Sequence, residues 1–176
     1  MRLFDLEINL PYFVDVPTTD EKKHRVLFIC TGNTCRSPMA QGLMAKAMAD
    51  QSDWVVESAG VAASVGSCES RDTATVLAER SATLQGFRSR QVSEEILAQA
   101  QAVFCMTAGH KEVLLDEFPE FADKCYLLCD FSTSNPGGDV PDPIGMGQKA
   151  YQRVAKTIED AIPGMMRFLL AKKNVP

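Results

Sequence analysis

Three side chains in this chain are suited to chemistry at phosphorus: Cys30, Arg36 and Asp142. Cys30 and Arg36 bracket Thr31, Gly32, Asn33, Thr34 and Cys35, and Gly32 and Asn33 tolerate the backbone angles that turn successive N–H groups inward. Inward amides ahead of a helix N-terminus form a cradle for a tetrahedral dianion. The planar fork of Arg36 can hold two of its oxygens at once. The same positive surroundings favour Cys30 as a thiolate, a nucleophile at the floor of a phosphate cradle. A departing oxygen or nitrogen then needs a proton. Asp142, stiffened by Pro141 and Pro143, is the leading donor, and Asp139 competes with it. The expected reaction has two steps: Cys30 displaces the leaving group as Asp142 protonates it, then water hydrolyses the cysteinyl-phosphate with Asp142 as base. Arg36 and the amides of residues 31–36 stabilise the equatorial oxygens, so no metal or cofactor is called for. Ser37 is placed to donate a hydrogen bond to the Cys30 sulfur, to cap the following helix, or to do both. Asn33 either braces the loop through its side chain or simply takes a left-handed turn conformation.

The flanking elements position these groups. Val26 to Ile29 is an unbroken apolar run, read as a buried strand ending at Cys30. Ser37-Pro38 starts a helix whose Met39, Leu43, Met44, Ala47 and Met48 make an apolar stripe. Trp54–Glu57 gives a second strand closing in Ser58-Ala59-Gly60, and residues 70–83 a helix ending before Gly86. Residues 93–100 form a short helix and Ala102–Met106 a third buried strand. Thr107 caps a helix to about Glu117, and Tyr126–Leu128 is the fourth strand. A long loop carries Asp139 and Asp142, of a length that points to function. An amphipathic helix over 148–172, kinked at Pro163, closes the chain. Strands alternating with helices predict an α/β fold: a four-stranded parallel doubly wound, Rossmann-like sheet with helices on both faces. In such sheets ligands bind at the carboxyl ends of strands where the order reverses, and Cys30 lies at such an end.

Composition excludes other classes. A net charge of −5 without a Lys/Arg run argues against nucleic acid or an anionic membrane surface as partner. Cysteines at 30, 35, 68, 105, 125 and 129 have neither disulfide-framework nor zinc spacing, and Cys105 and Cys125 read as buried free thiols. There is no membrane span, since no apolar run reaches about 18 residues. The N-terminus carries Asp5 and Glu7 instead of a basic leader, so the expected compartment is the cytoplasm. Residues 1–24 form an N-terminal extension, read as an edge strand, an arm against a partner or a tail, and residues 25–176 form the domain.

Cys30 through Ala40, Cys-Thr-Gly-Asn-Thr-Cys-Arg-Ser-Pro-Met-Ala, resembles the signature loop of the low-molecular-weight protein-tyrosine phosphatase family, closest to its protein-arginine phosphatase branch. Ser58-Ala-Gly60 and the Asp142-Pro143 loop match the same family, over roughly residues 25–172. The resemblance implies a phosphorylated protein as substrate, Asp142 as general acid, and Thr31, Gly32, Asn33, Thr34, Cys35, Ser37 and Ile144 in the substrate site. It implies further that Cys35 can form a reversible disulfide with Cys30. Thr34 stands where tyrosine-specific members carry an aliphatic residue and arginine-specific ones threonine, which favours phosphoarginine over phosphotyrosine. Ile144 departs from the aromatic residue both branches place after Asp-Pro. His110, in Met106-Thr-Ala-Gly-His-Lys, resembles the arginine branch and reads equally as a helix-surface histidine.

Two rivals stand beside this reading. An arsenate reductase of the same fold needs further cysteines beyond the third strand, and none follows Cys105 there. A catalytically silent phosphate-binding or redox sensor would bind phosphate without hydrolysing it.

Overall fold

The computed structural model describes residues 23–173. It contains β1 (His24–Cys30), α1 (Arg36–Ala47), β2 (Trp54–Gly60), α2 (Arg71–Glu79), α3 (Glu94–Gln99), β3 (Ala102–Cys105), α4 (Ala108–Glu117), β4 (Cys125–Leu127) and α5 (Gln148–Lys173). The strands form one parallel sheet in the order β2-β1-β3-β4, the doubly wound arrangement expected. Because β1 is flanked by β2 and β3, the chain reverses direction across the sheet there, and the crevice at its carboxyl end opens beside Cys30.

Alternation along β1 builds a core on each face. Val26, Phe28 and Cys30 point to one side, against Met39, Leu43 and Met44 of α1 and Val154, Ile158 and Met165 of α5. Leu27 and Ile29 point to the other, against Leu97 of α3 and Leu114 of α4. Helix starts follow local chemistry: the side chains of Ser70, Ser93 and Thr107 accept the N–H of Thr73, Ile96 and His110.

Several boundaries differ from expectation. Helix α2 ends at Glu79, short of Thr83, because Ser81 takes φ 52° and turns the chain, with Ala82 N–H donating to Leu77 O at 2.9 Å. The fourth strand is Cys125–Leu127, since Leu128 opens a 3-10 turn, Leu128–Phe131. Pro163 lies inside α5, which continues through it as one helix. The proposed extension over 1–24 falls outside the described residues apart from Lys23 and His24.

The long loop after β4 is anchored at several points. Asp160 of α5 accepts from Ser132 Oγ at 2.5 Å, from Thr133 N and Ser134 N at 3.0 Å each, and from Thr133 Oγ1 and Ser134 Oγ at 2.8 and 2.9 Å. These donors hold its carboxyl well below the usual carboxylate range. Next to this anchor, Gly164 lets α5 approach the Phe131 carbonyl, where an added Cβ would meet the oxygen at 2.4 Å.

Candidate active site

The cradle is shaped by where its carbonyls go. Cys30 O accepts from Val61 N–H at 3.0 Å, Thr31 O from Ala62 N–H at 2.9 Å, and Thr34 O from Ser70 N–H at 2.8 Å. A trans peptide holds N–H opposite C=O. With these carbonyls pulled outward, the amides of Thr31, Gly32 and Cys35 face inward, as an anion nest requires. Gly60 permits the close approach, because a Cβ there would lie 2.3 Å from Thr31 O.

Asn33 braces the loop from behind. It is fully buried at φ 52°, donates through Nδ2 to Ser37 Oγ at 3.0 Å and Ser58 Oγ at 2.8 Å, and accepts at Oδ1 from Arg90 N–H at 2.9 Å. Both sequence readings of Asn33, brace and left-handed turn, therefore hold. Ser37 lies inside the first turn of α1 and does not cap it, Cys35 being the flanking residue. The Ser37 hydroxyl sits 3.0 Å from Cys30 Sγ.

Arg36 is buried, with Nη2 bonded to Asp142 Oδ2 at 3.0 Å and Nη1 to Val140 O at 3.4 Å. Asp142 is half exposed and accepts Ile144 N–H at 3.2 Å, so its own loop orients it. Its competitor Asp139 instead accepts Ala108 N–H at 2.8 Å, at the start of α4.

Cys30, Thr31, Gly32, Thr34, Cys35, Arg36, Asp142 and Ile144 together line a cavity of about 40 Å³. Asn33 and Ser37 lie beneath it, fully buried, and act on the loop without lining the cavity. Larger hollows of about 310 and 320 Å³ lie elsewhere, and neither is lined by a cysteine or histidine. Among the described residues no cluster of three or more His, Cys, Asp or Glu side chains could hold a metal.

Sequence reasoning missed the partners that arrive from distant segments. Tyr151 of α5 places its hydroxyl 3.3 Å from Cys35 Sγ; burial, then that contact, raises its phenol to about 12. His110 is buried and not on the surface, with Nε2 at 2.9 Å from Thr31 Oγ1 and Nδ1 at 2.8 Å from Thr107 Oγ1. The sequence signal for His110 was its place three residues after the helix cap Thr107, whose hydroxyl it meets.

The chain is similar in sequence and fold to known proteins. The family described as low molecular weight phosphotyrosine protein phosphatase matches residues 25–175. A protein-arginine-phosphatase of Geobacillus stearothermophilus is 39% identical, covering 79% of this chain and 91% of that protein. A solved structure of an arginine phosphatase from that organism superposes with TM-score 0.77 at 36% identity, over 85% of this chain and 95% of that one. The low molecular weight protein tyrosine phosphatase of T. tengcongensis does so with TM-score 0.76 at 38% identity, over 83% and 99%. No helix among the described residues is long and apolar enough to cross a membrane. With its loop, sheet and chain-long similarity in agreement, this protein belongs to the low-molecular-weight phosphotyrosine protein phosphatase family.

Proposed function

We propose that the protein removes phosphate from phosphorylated proteins through a cysteinyl-phosphate on Cys30, acting in the cytoplasm and taking phosphoarginine in preference to phosphotyrosine. The observation that carries this is one cavity lined by Cys30, Arg36 and Asp142, with Ser37 Oγ 3.0 Å from Cys30 Sγ and Arg36 Nη2 3.0 Å from Asp142 Oδ2.

The Ser37 hydroxyl stabilises a thiolate at Cys30 and the same sulfur as a leaving group in the second step. Inward amides and the guanidinium of Arg36 take the three non-bridging oxygens, whose charge is greatest in the transition state. An incoming phosphoryl group competes with Asp142 for Nη2 of Arg36 and so frees the carboxyl to turn toward the departing atom. Once free of Arg36 the carboxyl takes up a proton from solvent, and Asp142 gives that proton to the guanidine nitrogen as the P–N bond breaks. It then takes a proton from the water whose oxygen attacks phosphorus, and the P–S bond breaks to release inorganic phosphate and the Cys30 thiolate.

Substrate preference rests on Thr34, one of the residues lining the cavity, and on the protein-arginine-phosphatase names of relatives. A hydroxyl in the wall suits a polar guanidinium, whereas a phenyl ring gains more from an apolar wall. The test is phosphate release from matched phosphoarginine and phosphotyrosine peptides, with Cys30→Ser as blank. Faster release from phosphoarginine is expected, and Thr34→Ile shifts the ratio toward phosphotyrosine. A higher rate on phosphotyrosine in the unaltered protein overturns the preference.

A further inference from the structure

The first turn of α4 touches both loops of the site. On one side, the buried imidazole of His110 bridges two hydroxyls, Thr107 Oγ1 at 2.8 Å and Thr31 Oγ1 at 2.9 Å. Thr31 is the residue after Cys30, and its carbonyl is already fixed by Ala62. On the other side, Ala108 N–H donates to Asp139 Oδ1 and Met106 O accepts from Val140 N–H, each at 2.8 Å. Asp139 and Val140 lead directly into Asp142. Burial first, and the nearby charge of Arg36 second, lower the pKa of His110 to about 4. The ring is therefore neutral at physiological pH, with one nitrogen donating and the other accepting.

We propose that the first turn of α4 is a bracket that sets the spacing between the Cys30 loop and the Asp142 loop, with His110 and Asp139 as its positioning residues. In-line transfer needs nucleophile and acid on opposite sides of one phosphoryl group, and an error of about 1 Å costs on the order of 100-fold. Arg36 also spans the two loops, through Asp142 and Val140. That link is strained by substrate itself, because the phosphoryl group competes for the same guanidinium. The α4 bracket uses no group that the phosphoryl group needs, so it holds while Arg36 changes partners.

The proposal rests on Asp142 as the acid, and its test separates the two claims. In the full chain, His110→Leu, His110→Gln, Asp139→Ala and Asp139→Asn are compared with Asp142→Ala as reference. Binding of inorganic phosphate is measured by calorimetry, and kcat on 4-nitrophenyl phosphate and on phenyl phosphate, whose leaving group needs the proton more. His110→Leu is expected to weaken phosphate binding about tenfold, while His110→Gln, whose amide nitrogen reaches the place of the ring Nε2, stays within about twofold. Asp139→Ala keeps phosphate binding but slows phenyl phosphate about tenfold more than 4-nitrophenyl phosphate. Asp139→Asn, which still accepts Ala108 N–H, restores the rate, whereas it would not if Asp139 were itself the acid.

Unchanged phosphate binding in His110→Leu, equal losses on the two esters in Asp139→Ala, or no rescue by Asp139→Asn would each overturn the bracket. Where His110→Leu does not fold, Thr31→Val breaks the same bond from the exposed end, and unchanged phosphate binding there overturns it equally. An Asp142→Ala variant as fast as the unaltered protein on phenyl phosphate would sink the acid assignment instead, leaving phosphate binding to judge His110.

Discussion

Replacing Asn33 with alanine tests whether the cradle is held by its brace or by the rest of the fold. The side chain is fully buried and makes three hydrogen bonds, two to serine hydroxyls and one from Arg90 N–H. At about 1 kcal/mol net for each bond, truncation costs about 3 kcal/mol. Alanine at φ 52° adds roughly 1 kcal/mol, because a Cβ crowds the carbonyl in the left-handed region where asparagine is tolerated. The total is about 4 kcal/mol, which for a chain of this size lowers Tm by roughly 10 °C. Asn33→Gly isolates the backbone part: it loses the same bonds but takes the positive φ freely, and falls about 3 kcal/mol short of the unaltered protein. Urea denaturation of the three proteins gives these differences directly, and kcat/KM on 4-nitrophenyl phosphate reports the loop. A cost below about 1 kcal/mol for Asn33→Ala would refute the reasoning, since buried donors and acceptors cannot lose their partners so cheaply.

Further outcomes follow from individual contacts. His110 has a folded-state pKa near 4 against an ordinary 6.5, so its contribution is complete above pH 6.5 and is lost as pH falls toward 4. His110→Gln should flatten that acid limb by up to about 3 kcal/mol in denaturation curves, and an unchanged limb would place the proton elsewhere. Gly164→Ala should destabilise by about 1–2 kcal/mol, the Phe131 clash outweighing the better helix propensity of alanine; a stabilised protein in urea would contradict it. Asp160→Ala should release residues 132–134 and lower kcat about tenfold on phenyl phosphate, with proteolysis mapping new cleavage in that segment. Protection from protease equal to the unaltered protein would show that the anchor is dispensable.

What was legible in the sequence was what is local. The buried strands announce themselves as apolar runs because parallel strands covered on both faces have no polar side. Ser70, Ser93 and Thr107 mark helix starts because a cap needs only its neighbours. The end of α2 was missed since a serine, and not a glycine, takes the left-handed turn at 81. Cys30, Arg36 and Asp142 stood out by type and setting, yet nothing near Cys35 foretells Tyr151, which reaches it across 116 residues. Asp139 and Asp142 looked alike as loop carboxylates flanked by turn residues. They separate only when the fold turns one toward Arg36 and the other toward the α4 backbone.

A loop pinned at Asp160, at Met106, at Ala108 and at Arg36 has little freedom to swing. Enzymes that fold a flap over their substrate often wait on that motion, so thickening the solvent slows them. Here the loop is held before substrate arrives, and glycerol or sucrose should leave the rate of chemistry alone.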